Sequence, residues 1–308
     1  PWMTSGWGLV FSIGLLSAAG AGAGSFSVLM GAAAQRLPIE KRGMASGVIN
    51  AGGSFGQFLF APVLQKLISL FGWMGAMWSL AAMTLLALPL ARGLRRTAPV
   101  AAHPDDRGVG HAVLEALRDP SYLLLHAGFF TCGFHIAFLV THLPGEVQLC
   151  GLPPSVASWS LALIGLANIA GSLFAGWAVQ RHRSKYVLFW MYASRAALVA
   201  VYLLAPKSAL TFYLFAIALG FTWLATVPPT AGLVGKLFGV RYLATLFGLT
   251  LLSHQIGGFF GAWLGGMAIA SMGNYDWMWY ADMALAAAAA LVNLPIREAH
   301  PRAAVQPA

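Results

Sequence analysis

Three ionisable side chains sit inside apolar sequence: Arg195 in YVLFWMYASRAALVAVYLL, Asp282 in WMWYADMALAAAAALVN and His135 in FFTCGFHIAFLVTH. A guanidinium there grips an anionic substrate or pairs with a carboxylate of the protein, because a lone charge in an apolar medium is costly. Arg195 lies ten residues, about 15 Å of helix, from Lys185, and Asp282 is the carboxylate within plausible reach. A structural Arg195–Asp282 pair and an anion site at Arg195 are therefore both open readings. The His135 imidazole exchanges protons near neutral pH and is a candidate coupling group, or else a neutral histidine bonding a neighbouring helix. His254 falls on the same helical face as Gly257, Gly261 and Gly265 at 100° per residue, which is a packing face, while Gln255 points about 100° away. Gln57, Asn168 and Trp223 lie near mid-span, where polar side chains cement helices or line a solute path. Pro228 and Pro229 remove backbone donors and predict a kinked or unwound helix.

The elements that carry these residues must be membrane helices. The chain is 59% hydrophobic and 9% charged, with mean hydropathy +0.73, too little polar surface for a soluble domain of 308 residues. A net charge of +9 suggests nucleic acid only until the basic residues are placed: they punctuate the apolar runs and form no basic face. Cys132 and Cys150 lie far apart, predicting no disulfide, and His103 and His111 have no carboxylate at metal spacing, predicting no metal site. No glycine-rich phosphate loop occurs, so neither a cofactor nor an ATP-driven mechanism is expected, and no catalytic constellation points to an enzyme.

Nine apolar runs can span a bilayer: 4–34, 44–70, 73–92, 119–143, 154–179, 186–205, 209–235, 242–270 and 276–295. Fifteen of the eighteen Lys and Arg residues fall in one set of alternate loops, which makes that side and the C-terminus cytoplasmic. The expected organisation is a three-span unit over 1–92, a solvated linker over 93–118, a six-span bundle over 119–297 and a tail over 298–308. Trp73, Trp78, Trp277 and Trp279 are expected as headgroup-level anchors.

The stretch RYLATLFGLTLLSHQIGGFFGAWLGG, from Arg241 to Gly266, has an earlier twin. An offset of 201 carries Gly31, Gly47, Gly56, Phe58, Ala61 and Gly72 onto Gly232, Gly248, Gly257, Phe259, Ala262 and Gly273. Such an order of matches predicts a duplicated bundle with its substrate between the halves. Nine spans are then three short of two equal halves, and helices preceding Pro1 are expected.

With those spans and the duplication, the chain resembles the major facilitator superfamily, twelve helices in two six-helix bundles, of which these nine would be helices four to twelve. The loop GWAVQRHRSK resembles the family's basic loop: Gly176, Arg181 and Lys185 fit, and Gln180 replaces an aspartate. The antiporter glycine pattern is degenerate at Gly47 and Gly56, where Phe60 and Ala61 replace Gly-Pro, and fuller at Gly248, Gly257, Gly261 and Gly265. The segment Lys41–Trp73 resembles monocarboxylate and oxalate/formate transporters, although the span 154–179 lacks the charged residue that branch places there. The resemblance implies a monomeric secondary transporter in a bilayer, of bacterial inner-membrane type, moving a small organic anion, with protons as a further partner. Drug or sugar transport in the same fold and a non-transporting membrane sensor are the alternatives.

Overall fold

In a computed structural model the described residues are 5–86, 88–91 and 108–298, without strands. Long uninterrupted apolar segments satisfy their backbone internally as helices, as a bilayer requires. Gly6–Leu9 (α1) and Ala18–Ala23 (α2) flank a π-helix at Val10–Ser17, and Phe26–Arg36 (α3) follows. Ile39–Leu85 (α4) is two helices joined at Gly72, whose φ of 67° only glycine adopts without strain. The expected gap between 70 and 73 falls at this residue. Leu88–Ala91 (α5) and Gly108–Arg118 (α6) lead to the long helices Pro120–Leu149 (α7), Pro154–Arg181 (α8) and Ser184–Leu204 (α9). Ala209–Thr222 (α10) and Val227–Phe238 (α11) share one span, and Leu243–Met272 (α12) and Asp276–Asn293 (α13) are the last helices of the described residues.

Local chemistry sets several of these boundaries. Asp119 caps α7 by accepting from the Ser121 amide at 2.7 Å, with Pro120 in the first turn where a missing N–H costs nothing. Of the expected linker, 93–107 lies outside the described residues, whereas 108–118 is a mostly exposed helix that buries Ala116 against the bundle.

Seven stretches of the described residues are long and apolar enough to cross a membrane: Gly6–Arg36, Lys66–Leu85, Pro120–Leu149, Pro154–Arg181, Ser184–Leu204, Ala209–Phe238 and Leu243–Met272. The segment expected at 276–295 is helical, but Asp276, Asp282 and Asn293 dilute its hydropathy. Trp279 is not a headgroup anchor: it is buried against Phe138, Phe215 and Tyr202 in the bundle core, whereas Trp73 and Trp78 are exposed.

Helix crossings are set by glycine. A Cβ on Gly257 or Gly261 of α12 would strike the carbonyls of Phe130 or Phe134 on α7, and one on Gly133 would strike the His254 carbonyl. Gly43, Gly47 and Gly176 bring α4 and α8 into backbone contact, and Gly171 and Gly220 do the same for α8 and α10. Such contacts gain dispersion and dipolar interaction where apolar side chains gain nothing over lipid.

Candidate functional site: a broken helix in a buried polar cluster

The span that carries α10 and α11 unwinds between Thr222 and Val227, with Trp223 at φ −51° and ψ −82°. Pro228 and Pro229 start α11, in the turn whose amides have no partner within the helix in any case. The break therefore comes just before the prolines, not at them. An unwound backbone in a bilayer must find partners elsewhere, and four helices supply them. Arg195 of α9 donates through Nη2 to the Thr222 and Trp223 carbonyls at 2.8 and 2.9 Å. Asn168 of α8 accepts from the Leu224 amide at 2.9 Å, and Asn50 of α4 donates to the Leu224 carbonyl at 2.8 Å. Cys132 of α7 donates to the Trp223 carbonyl at 3.9 Å and meets the Thr226 hydroxyl at 3.3 Å.

Asn50 also donates to Ser172 at 2.7 Å, and Asn168 donates to Ser54, so α4, α8 and the break form one hydrogen-bonded unit. Asn50, Ser54, Cys132, Ser172 and Thr226 were not singled out from the sequence. Their signal was faint, small polar residues inside apolar runs, of which any membrane protein has many.

Beside the break, His135 Nδ1 lies 2.5 Å from Asp282 Oδ2, with both side chains fully buried. The His135 ring meets Trp223 edge to face, centroids 5.6 Å apart. The expected Arg195–Asp282 ion pair is corrected by this geometry. Arg195 is fully buried, as anticipated, but its guanidinium turns to the carbonyl end of α10, the negative pole of that half-helix, and Asp282 takes the imidazole instead. Among the described residues, Arg195 Nε and Nη1, Asp282 Oδ1 and His135 Nε2 have no hydrogen-bond partner.

The remaining expected residues disperse. His254 is half-buried against the Phe129 ring and bonds Gln255, which is exposed. Gly257, Gly261 and Gly265 face α7 as the helical phase predicts, whereas Gly248 faces Ser27 of α3. Gly56 has no close neighbour among the described residues, and the side chain of Gln57 lies outside them. Arg181 packs over Trp177, and Lys185 donates to the Leu294 and Ile296 carbonyls beyond α13. Glu298 closes that end by accepting from the Ser184 and Lys185 amides and from Lys236 at 2.6 Å, a carboxylate at the N-terminus of α9. A separate open cavity of about 460 Å³ between α7, α12 and α13 is lined by His126, Phe130, Thr131, Ser253 and Ile256, and by none of the expected site residues.

At the opposite end Tyr202 donates to Glu146 at 2.7 Å, and the Lys207 ammonium sits 3.8 Å from the Tyr202 ring centroid. Burial pushes the Lys207 pKa below the usual lysine value against the pull of Glu146. Burial, then the Glu146 carboxylate, pushes the Cys150 thiol above its usual value.

The sequence matches the Major Facilitator Superfamily profile over residues 2–152 and again over 147–307. Among curated proteins it is similar to Monocarboxylate transporter 13 of Rattus norvegicus, 28% identical over 93% of this chain and 67% of that protein. The same protein of Bos taurus aligns at 28% identity over 93% of this chain and 67% of its own length. The Oxalate:formate antiporter of Oxalobacter formigenes is 26% identical over 89% of this chain and 67% of its own length. With both profile matches together covering nearly every residue, this multi-pass membrane chain belongs to the Major Facilitator Superfamily.

Proposed function

We propose that the protein is a secondary transporter that moves a small organic anion of the monocarboxylate class by alternating access, with its basic loops and C-terminus cytoplasmic. The nine spans are read as helices four to twelve of two rocking bundles, the first reaching residue 92 and the second beginning at 119, joined by the linker. The observation that carries this reading is the mid-span break at Trp223, where backbone carbonyls and amides meet side chains from α4, α7, α8 and α9. Interrupted helices of this kind place ligand-sized polar chemistry inside a bilayer. The similarity to proteins named for monocarboxylate and for oxalate:formate transport supports the substrate class.

The test is uptake of radiolabelled lactate, pyruvate and oxalate into proteoliposomes holding the full-length protein. Saturable uptake of at least one, competed by the unlabelled acid, is the expected result. Well-folded protein that moves none of the three, while moving a neutral sugar or a cationic drug, overturns the substrate class.

A further inference from the structure

We infer that the His135–Asp282 pair is a proton-binding site whose charge is read by the broken helix through Arg195. The inference rests on the transport reading only for its consequence, since the site itself is argued from geometry. An ionised carboxylate is an acceptor only, so at 2.5 Å the proton between the two residues belongs to His135 Nδ1, which donates to Asp282 Oδ2. That fixes the tautomer and leaves His135 Nε2 as a lone-pair acceptor. Nε2 is buried and has no hydrogen-bond partner among the described residues, and the same holds for Asp282 Oδ1. The pair thus offers two unused proton acceptors in the middle of a span, where an ionisable group is costly to keep for packing alone.

The surroundings supply the readout. Facing the pair from α9 is Arg195, with Tyr192 packed beneath its guanidinium at 5.4 Å; from α7 itself comes Cys132, whose thiol also lies within reach of His254 on α12. The side facing α8 and the break holds Asn168 and Trp223, neither of which titrates. With His135 neutral, Arg195 and Asp282 cancel and the cluster carries no net charge. One proton bound from water at Nε2 makes an imidazolium and raises the total by one, with no other bond broken; the same proton leaves from Nε2 when the site opens to the other side. The added positive charge repels the guanidinium that holds the carbonyls of Thr222 and Trp223, and it sits edge to face against Trp223 at the break. Proton occupancy and the geometry of the break are therefore one variable.

Two experiments on the reconstituted full-length protein test this separately from the substrate reading. The first follows intrinsic tryptophan fluorescence from roughly pH 5 to 9, the range in which imidazole titrates. An imidazolium against Trp223 quenches it, so a reversible step is expected that disappears in His135→Gln and in Trp223→Phe and shifts in Asp282→Asn. The second compares uptake driven by a pH gradient with substrate-for-substrate exchange, using whichever of lactate, pyruvate or oxalate the wild type moves. His135→Gln is expected to lose the gradient stimulation while exchange persists. A wild-type curve with no step, or a step that survives either His135→Gln or Trp223→Phe, overturns the inference, and so does gradient stimulation undiminished in His135→Gln. If the wild type moves none of the three acids, the substrate proposal fails and fluorescence alone decides the proton site. If His135→Gln does not fold, Trp223→Phe and Asp282→Asn carry the same decision.

Discussion

Gly176→Ala is expected to loosen the contact between α4 and α8, and its size follows from the crossing. A Cβ on Gly176 would lie 2.7 Å from the Gly43 carbonyl oxygen and 2.9 Å from the Gly47 Cα, against an ordinary limit near 3.4 Å. Both neighbours are backbone and cannot rotate away, so the helices must part by about 0.7 Å, a strain of the kind that costs about 1–3 kcal/mol. The same movement carries the Asn50–Ser172 bond, 2.7 Å long, to the edge of hydrogen-bond range, and loosens Asn50 from the Leu224 carbonyl. Gly52→Ala is the matched control on α4. Its added Cβ meets nothing within 4 Å among the described residues, and it replaces glycine by a residue about 1 kcal/mol better in a helix. The assay is thermal unfolding in detergent in a Cys150→Ser background, followed by thiol-reactive dye labelling of Cys132, which is fully buried until the bundle opens. Gly176→Ala should expose Cys132 at lower temperature than the parent, and Gly52→Ala at the same or higher temperature. Equal midpoints for the two variants would refute the claim that backbone contact at this crossing holds the two elements together.

Alkylation of Cys150 as a function of pH should show a midpoint above that of a free thiol, because burial and the Glu146 carboxylate disfavour the thiolate. Sign follows from the raised pKa: the native state holds its proton longer than the unfolded chain, so stability from this group falls as pH rises past the unfolded value, and Glu146→Gln should move the alkylation midpoint down. Glu298→Gln should weaken the cap on α9 and its bond to Lys236, and faster hydrogen exchange at the Ser184 and Lys185 amides, with the middle of α9 unchanged, is the expected signature. Asn168→Ala should cost about 0.6–2 kcal/mol, since it strands the Leu224 amide and removes the bond that the Ser54 hydroxyl accepts, leaving Ser54 its bond to the Asn50 carbonyl. A double-mutant cycle with Ser54→Ala that shows no coupling would argue against their contact.

The parts of the fold legible from sequence were those governed by a short-range rule. Gly257, Gly261 and Gly265 repeat every four residues, and that period alone put them on one helix face, where α7 meets them. Gly72 marked the boundary inside α4 because no side-chain-bearing residue adopts its conformation comfortably. The double proline announced a break in the tenth-helix equivalent, but the unwound residues precede it, since proline is welcome in a first turn and it is the turn before that must open. Partner choice was not legible. Asp282 and His135 are 147 positions apart, and nothing in either segment says that the imidazole outcompetes Arg195 for the carboxylate. That outcome depends on where the α10 carbonyls lie, which is a property of the assembled bundle. The helix at 108–118 was hidden for the opposite reason, its polar flank resembling the linker it adjoins.

The contact of α7 with α12 has a mechanical consequence. Where Gly133 meets the His254 carbonyl, and Gly257 and Gly261 meet those of Phe130 and Phe134, the facing surfaces carry no side chains at the points of closest approach. Interlocked knobs and holes resist displacement because each rotamer must be undone before the helices shift. Two bare backbones offer little resistance at those points, so the seam's resistance to sliding falls on three side-chain bonds that cross it: Tyr122 to the Leu246 carbonyl, His126 with Ser253, and His142 with the Ala262 carbonyl. The seam is thus smooth between its fasteners and fixed at them, so its register depends on three polar side chains rather than on interlocked apolar ones.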